Sequence, residues 1–321
     1  DDLVFGTGGN NDRLTIDAAG NVGIGITPDA ANGSHLQFVS GYGISKNGFF
    51  RNSYFDGSNY KAIATGGATL IQGGDDFLFY TAPSVSADAN QTYTVRFKIA
   101  NDGSPSTPTA GASNVRLGVN AGDAIASGTS RNVCIGDEAG TTLNGGDDSV
   151  FVGYAAGDAI STGTQNVAIG SNALGAGITA TNNTAVGRSS MAATLGSENT
   201  AVGVNTLASN QGGSHSVAIG SAALSYQNPS SGNVDFYNTA VGSQAGINLS
   251  TGTINTFVGG FSAGSGVVTG SHNVGVGAET LYSLTDGASN VAVGYQAGAG
   301  LTGGDFNVAI GREALETEDG H

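Results

Sequence analysis

The pattern of apolar and polar positions becomes periodic near residue 114. From there to residue 315, short apolar segments recur in the form Asn-(Val/Thr)-small-(Val/Ile)-Gly, and twelve copies align. Segments this short, rich in β-branched residues and bounded by turn residues, are typical of strands rather than helices. Most intervals between the closing glycines have the same length, about 17 residues. These glycines are Gly118, Gly136, Gly153, Gly170, Gly187, Gly203, Gly220, Gly242, Gly259, Gly277, Gly294 and Gly311.

A second segment of small residues follows each glycine, for example Asn172-Ala173-Leu174 and Gln296-Ala297-Gly298. It predicts a weaker strand or a turn. Two such segments and two turns in about 17 residues form one coil of a narrow β-solenoid, and coils stack about 4.8 Å apart. The sequence therefore predicts an all-β protein with a parallel β-solenoid, or β-roll, of about 12 coils, roughly 50 Å long.

The alternation within each five-residue unit predicts two different strand faces. The second and fourth positions share one face, which we expect to fill the interior of the coil. The third position points the opposite way and is nevertheless apolar in most copies: it is Ala in seven, including Ala168 and Ala309, and Phe in two, with Arg116, Cys134 and Gly275 as the rest. A strand that is apolar on both faces needs cover on both. We therefore expect the third position to face another chain, and we expect a parallel homotrimer.

The first position of the unit is Asn in ten copies and Ser in the other two, Ser149 and Ser216. Stacked coils would place these side chains in a ladder of hydrogen bonds, while the invariant glycine indicates a positive φ or a close backbone approach. Turn formation alone would explain Asn and Gly equally well. The predicted ladder consists of Asn132, Asn166, Asn183, Asn199, Asn238, Asn255, Asn273, Asn290 and Asn307.

The N-terminal third differs in composition from the repeats. All three lysines and seven of the thirteen Phe residues lie between residues 29 and 103. Runs such as residues 77–80 and 93–99 alternate aromatic with polar positions and predict strands of a small β-domain. The predicted organisation is a fibre-type β segment at 1–28, an aromatic-rich β-domain at 29–103, a linker at 104–113, the β-roll at 114–315 and a tail at 316–321.

The composition and net charge of the chain exclude some classes of structure and disfavour some partners. The chain has 321 residues, and its 55 Gly do not recur at every third position and are accompanied by only five Pro, so a collagen helix does not fit. With 39% hydrophobic and only 11% charged residues, a disordered coil does not fit either. The net charge of −15 disfavours binding to nucleic acid or to an anionic membrane. No apolar run approaches the roughly 18 residues of a membrane span. The first residue is Asp1, so we expect a processed piece of a longer protein.

Two parts of the sequence, the repeat units and a segment near the N-terminus, resemble known protein families. The Asn-Val-Ala-Ile-Gly units resemble the repeats of trimeric autotransporter adhesin heads, which are left-handed parallel β-rolls and also occur in bacteriophage tail fibres. The segment Leu14-Thr15-Ile16-Asp17-Ala18-Ala19-Gly20-Asn21-Val22-Gly23-Ile24-Gly25-Ile26-Thr27-Pro28 is similar to one found in phage tail-fibre proteins. The resemblance implies a trimeric fibre. The adhesin-head repeat is commonly shorter than the repeat of this chain, which leaves the handedness open.

Motifs that suggest catalysis or metal binding are weak. Residues 260–264 match the Gly-X-Ser-X-Gly nucleophile elbow but lie in the repeat register, without the strand-to-helix context. The four histidines lack metal-ligand spacing, and Gly-Gly-Asp pieces such as 145–147 favour turns. Cys134 stands at an alanine position and is interpreted as a small buried residue. We predict no catalytic residue, no metal and no cofactor.

One coil is longer than the others, because Gly220 and Gly242 lie farther apart in the sequence than any other neighbouring pair of closing glycines. Insertions in solenoids emerge as loops on one face and often bind partners. Tyr226, Asn228, Phe236 and Tyr237 are the candidate receptor contacts, since aromatic rings stack on sugars and amides bond hydroxyls. An inert surface loop, or a lid over a neighbouring chain, is the alternative.

These features predict a non-enzymatic structural and adhesion protein. The first hypothesis is a segment of a phage tail fibre or tail-like appendage, located in the virion and extracellular. Its partners would be two further copies of the chain, other fibre or tail subunits, and a glycan or protein receptor on the host surface. A bacterial trimeric surface adhesin head, on the cell surface, and a polysaccharide-degrading tailspike are the alternatives.

Overall fold

The structure is a computed structural model that divides into two compact units, Asp1–Pro108 and Thr109–His321. In the first unit it describes residues 3–6, 12–16, 22–24, 35–38, 42–45, 48–51, 53–55, 60–62, 66–72, 76–99, 101 and 105–106. In the second unit it describes residues 113–228 and 234–317. The described residues form strands and turns without any helix, so the predicted all-β class is confirmed.

The first unit is a small, mainly antiparallel sheet. Ten strands follow the order β1-β2-β3-β4-β5-β6-β9-β10-β11-β12, with β3 and β4 parallel, and β7 pairs with β8 in a separate hairpin. The strands are β1 (Leu3–Gly6), β2 (Asp12–Ile16), β3 (Val22–Ile24), β4 (His35–Phe38), β5 (Tyr42–Ser45), β6 (Gly48–Arg51), β7 (Ser53–Phe55), β8 (Tyr60–Ala62), β9 (Gly66–Gln72), β10 (Phe77–Val85), β11 (Thr94–Ile99) and β12 (Pro105–Ser106).

Aromatic and charged contacts join the last strands of this sheet. The ring of Phe79 in β10 lies 5.7 Å from that of Phe97 in β11, and Lys98 Nζ lies 2.6 Å from Asp76 Oδ2. The alternating run that predicted strands at 77–80 and 93–99 therefore does form an antiparallel pair. Part of the segment 104–113, expected as a linker, is strand β12, which pairs with β11.

The second unit is the predicted parallel β-solenoid of about eleven turns. Twelve short strands stack in one sheet, each parallel to the next and paired at equivalent positions of the repeat. The second small-residue segment forms turns rather than strands. The sheet consists of β13 (Val115–Leu117), β14 (Val133–Ile135), β15 (Val150–Val152), β16 (Val167–Ile169), β17 (Thr184–Val186), β18 (Thr200–Val202), β20 (Val217–Ile219), β22 (Thr239–Val241), β23 (Thr256–Val258), β24 (Val274–Val276), β25 (Val291–Val293) and β26 (Val308–Ile310). We number the coils 1 to 12 in this order.

The closing glycine of each unit is required by both conformation and space. All twelve have φ between 121° and 139°, a region open to glycine and costly for other residues. A Cβ on Gly294 would lie 2.6 Å from the carbonyl oxygen of Gly311 in the next coil. The glycine column therefore lets successive coils approach closely at this corner.

The expected assignment of the two strand faces is wrong. The third position points into the coil: Ala168, Ala185, Ala292 and Phe151 are each 0% exposed. The second and fourth positions point outward and are half-buried or exposed. The coil is narrow, so at most third positions its interior accepts only a small side chain, which packs against a buried small residue of the opposite turn such as Ala173. The larger Val and Ile residues of the strands therefore lie outside.

Large side chains inside the solenoid are accommodated by glycines in the neighbouring turns. Where Phe151 fills the inner column, Gly140 and Gly157 stand beside it, and a Cβ on Gly157 would lie 2.5 Å from the Phe151 ring. The interior also holds a large apolar side chain from the turn that follows the closing glycine. This side chain comes from an early position in the turn, as Leu174 does, or from a later position, as Leu143 does. Differences in side-chain size are thus accommodated locally although the individual coils differ in sequence.

Candidate interaction surfaces

The outward face of the solenoid sheet is apolar and carries no charge. It consists of the 24 side chains at the second and fourth positions of the twelve units, all Val, Ile, Leu or Thr. Leu117 is 65% exposed, and Ile169 and Ile219 are each 40% exposed. Parallel sheets normally have both faces covered. A contiguous apolar surface of this kind marks an interaction site.

The predicted asparagine column lies inside the solenoid and its members are hydrogen-bonded from coil to coil. The side-chain Oδ1 of Asn183 accepts from the backbone N–H of Asn199 at 3.0 Å, and its Nδ2 donates to the carbonyl of Gly196 at 2.9 Å. Asn183 is fully buried. The same pair of bonds recurs at Asn255, whose Oδ1 accepts from the N–H of Asn273. These side chains satisfy buried backbone groups where the chain enters each strand.

The ladder includes a residue that the sequence analysis missed. Between Ser216 and Asn238, at the long coil, the buried side chain of Gln227 donates to Ser216 Oγ at 2.9 Å and accepts from Asn238 Nδ2 at 2.9 Å. The longer Gln side chain thus spans the gap that the shorter serine leaves. The signal in the sequence was the coincidence of a serine in the ladder with the insertion in the same coil.

A second, discontinuous ladder of hydrogen bonds runs in the opposite direction just before the first one, at five junctions between coils of the described residues. The backbone N–H of Thr181 donates to Ser197 Oγ, and that of Ser197 donates to Ser214 Oγ, at 3.0 and 3.1 Å. Here the side chain of the later coil accepts from the earlier coil, whereas the asparagine Oδ1 accepts from the later one. Where both are present, two ladders of opposite direction therefore fix neighbouring coils to each other.

The residue between these ladders defines a corner column. It precedes the first position of each unit and has φ between 51° and 62° in all twelve coils, without any glycine. A side chain in this left-handed region costs about 1–2 kcal/mol. Most of these residues are exposed. They differ in chemistry from coil to coil, and they are Ser113, Arg131, Asp148, Gln165, Asn182, Glu198, His215, Tyr237, Ile254, His272, Ser289 and Phe306.

The long coil exposes part of the candidate receptor-contact set. Tyr226 and Tyr237 are 56% and 53% exposed, and Asn228 is exposed. Phe236 is 1% exposed, so it is not available to a receptor, which corrects that assignment. Its ring lies against Gly213, where a Cβ would come within 2.5 Å of Phe236. Residues 229–233 of this coil lie outside the described residues.

The return arm of the long coil is attached to the preceding coil. Strand β21 (Val234–Asp235) pairs in parallel with β19 (Gly213–Ser214). His215 lies between two carboxylates, with Nδ1 3.0 Å from Asp235 and Nε2 3.0 Å from Glu198. Its ring stacks on Tyr237 at 4.9 Å between centroids. One face of Tyr237 is therefore occupied within the chain.

The serine of the nucleophile-elbow match and the free cysteine are both buried within the solenoid. Ser262, of the Gly-X-Ser-X-Gly match, is buried and lies 2.7 Å from Thr280 Oγ1. Burial raises the pKa of the Cys134 thiol to about 11, so the thiolate nucleophile is scarce at neutral pH. Two carboxyl groups outside these motifs also have shifted pKa values: hydrogen bonding to Arg131 lowers the pKa of Asp148, and burial raises the pKa of Asp158.

Among the described residues, no cluster of three or more His, Cys, Asp or Glu side chains could hold a metal ion. Nor do they include a helix with the length and apolar character to cross a membrane.

Comparisons of the chain with protein families, with curated proteins and with solved structures found no match. The evidence for its function therefore comes from the chain's own surfaces.

Proposed function

We propose that the chain is a structural segment of an extracellular fibre, without enzymatic activity, whose solenoid assembles with two further copies of itself. The observation that carries the proposal is the outward face: 20 Val, Ile and Leu side chains and four threonines in register along twelve strands, with no charge among them. A standard protein interface uses roughly 20–30 residues a side, so this face alone approaches the required size. A homotrimer closes three such faces on one another and leaves the turns outside.

The same assembly explains the rest of the solenoid. Stacked coils joined by two hydrogen-bond ladders form a rigid rod, and rigid scaffolds commonly carry recognition on irregular loops. The exposed Tyr226 and Asn228 of the long coil supply an aromatic ring and an amide suited to a host-surface glycan. A phage tail fibre or tail-like appendage combines these features in an extracellular virion component. A bacterial adhesin head is the second candidate, because the uncovered apolar face favours it equally.

Sedimentation tests the assembly. The wild-type chain is expected at three times its 31.5 kDa mass at micromolar concentration. Ile169→Asp places a carboxylate in the outward face and should release folded monomers. Ile178→Asp is the matched control, because Ile178 is 58% exposed but lies in a turn outside the face. A wild-type chain that sediments as a folded monomer contradicts the proposal.

Attachment to bacterial cells tests the recognition role. The double variant Tyr226→Ala, Asn228→Ala removes two exposed side chains of the loop and should leave a trimer that adheres less. A double variant that assembles and adheres as well as the wild type would exclude these side chains as the contact.

A further inference from the structure

The second-position column of the outward face is not uniform. Along coils 1 to 12 it reads four valines, two threonines, one valine, two threonines and three valines. The threonines stand in coils 5, 6, 8 and 9 and are Thr184, Thr200, Thr239 and Thr256. The fourth-position column, by contrast, holds only Val, Ile and Leu.

The hydroxyls of these four threonines are not used within the described part of the chain. All four side chains are half-buried on the outward face, and no hydrogen bond to another described residue is formed by their Oγ1 atoms. Other threonines do bond within the chain: Thr206 Oγ1 donates to the carbonyl of Gly220 at 2.8 Å. On an open sheet, water would satisfy the four hydroxyls. Between two apolar faces water is excluded, and each hydroxyl then needs a partner.

A repetitive face raises a second problem, which is register. The twelve strands of the main sheet present nearly the same apolar surface once per coil, so two copies shifted by one coil would bury almost the same area. Apolar contact alone specifies such a register weakly. A polar residue in an apolar interface can specify it, because misalignment leaves the polar group without a partner.

We propose that these four threonines set the alignment of the chains across the outward face, the occupant of that face being a second copy of this chain. This inference rests on the self-assembly proposed above. In the aligned assembly every threonine faces a threonine, and the hydroxyls bond one another. A shift by one coil sets Thr200 against Val217 and Thr256 against Val274, and two further threonines of the other copy against valine.

The pattern also restricts orientation. The four threonines lie symmetrically on either side of Val217, which stands in coil 7. Two arrangements of a pair of chains therefore align all four. In a parallel assembly each coil meets its own equivalent, and in an antiparallel pair coil 5 meets coil 9. The parallel arrangement is the one that a homotrimer requires.

Cysteine cross-linking in a Cys134→Ala background tests the alignment. Val186→Cys, in coil 5, is mixed with Ile219→Cys, in coil 7, and with Val258→Cys, in coil 9. Coils two apart are roughly 9.6 Å from each other, beyond the reach of a disulfide. An aligned parallel assembly links Val186→Cys to itself, and an aligned antiparallel pair links it to Val258→Cys. Links between Val186→Cys and Ile219→Cys form only in shifted assemblies.

The wild-type threonines should keep shifted links at least about tenfold below aligned ones. Replacing all four threonines by the isosteric valine should preserve assembly and bring the two kinds of link to similar yields. The matched control replaces four exposed threonines outside the face by valine, and it should leave the links unchanged. These are Thr162, Thr179, Thr251 and Thr302.

The outcomes separate the two proposals. A monomeric wild-type chain refutes the assembly itself. An assembled wild type with abundant shifted links, or a fourfold valine variant that keeps one alignment, refutes the role of the threonines in alignment while leaving the assembly intact.

Discussion

The inner column and the outward face of the solenoid lie on the same strands, at adjacent positions, yet they obey different constraints. Ala168 is fully buried by its own chain, whereas its neighbour Ile169 is 40% exposed. The inner column is limited by volume, because the narrow coil admits mainly Ala and the few larger residues stand opposite glycines. The outward face has no such limit within the chain. The difference shows that on these strands the smaller residues, and not the larger Val and Ile, face the core, while larger core side chains such as Leu174 come from the turns.

The largest expected effect comes from placing a charge on each side of one strand. Ala168→Asp buries a carboxylate without a partner in a filled core and should cost more than about 4 kcal/mol of folding free energy. Ile169→Asp should change the stability of the dissociated chain by about 1 kcal/mol or less. Denaturant unfolding followed by circular dichroism measures both. Equal losses would mean that the two faces are not different in the free chain.

The glycine corner permits a sharper test of coil stacking. Gly294 and Gly311 share the same corner and nearly the same φ, 128° and 121°, but a Cβ meets the next coil only at Gly294. Gly311→Ala should therefore cost only the backbone strain, about 1–3 kcal/mol. Gly294→Ala adds a clash with a carbonyl and should cost at least about 2 kcal/mol more. Thermal unfolding of the two variants gives the comparison, and similar melting temperatures would contradict it.

The asparagine ladder should contribute more than exposed amides do. Asn183→Ala leaves a buried backbone N–H and a buried carbonyl without their partners, at about 1–3 kcal/mol each. Asn248→Ala is the control, because this half-buried side chain makes a 3.2 Å bond to the carbonyl of Gly264, and it should cost less than about 1.5 kcal/mol. Urea unfolding measures both. A smaller loss at Asn183 would make the ladder a matter of turn formation alone.

The smallest effect belongs to the exposed pair of Arg131 and Asp148 in the corner column. Its hydrogen bond lowers the pKa of Asp148, so the stabilisation is present at neutral pH and is lost as pH falls through that lowered pKa. Arg131→Gln should raise the pKa of Asp148 toward its ordinary value, with little change in stability at pH 7. Carbon-detected NMR titration reports this pKa. Arg188→Gln, at a site away from this pair, should leave it unchanged.

The repeat made the strands, the parallel stacking and the glycine corner predictable, because each depends on local residue type and period. The Asn-Val-Ala-Ile-Gly unit is enough to place β16 and its neighbours. The choice of inner face was not predictable from alternation, which shows that two faces differ but not which one is enclosed. That choice depends on the distance to the opposite turn, where Ala173 lies. The burial of Phe236 likewise depends on Gly213, which belongs to the preceding coil.

Hydroxyl-radical footprinting of the assembled protein tests the central claim most directly, namely that the inner column is closed within one chain and the outward face between chains. In the wild type, Ile219 and Val202 should be protected as strongly as the buried Leu174. In the dissociated Ile169→Asp chain, Leu174 should stay protected while Ile219 and Val202 become as reactive as the exposed Ile178. Equal reactivity of Ile219 in the two proteins, with Leu174 protected in both, would contradict the account.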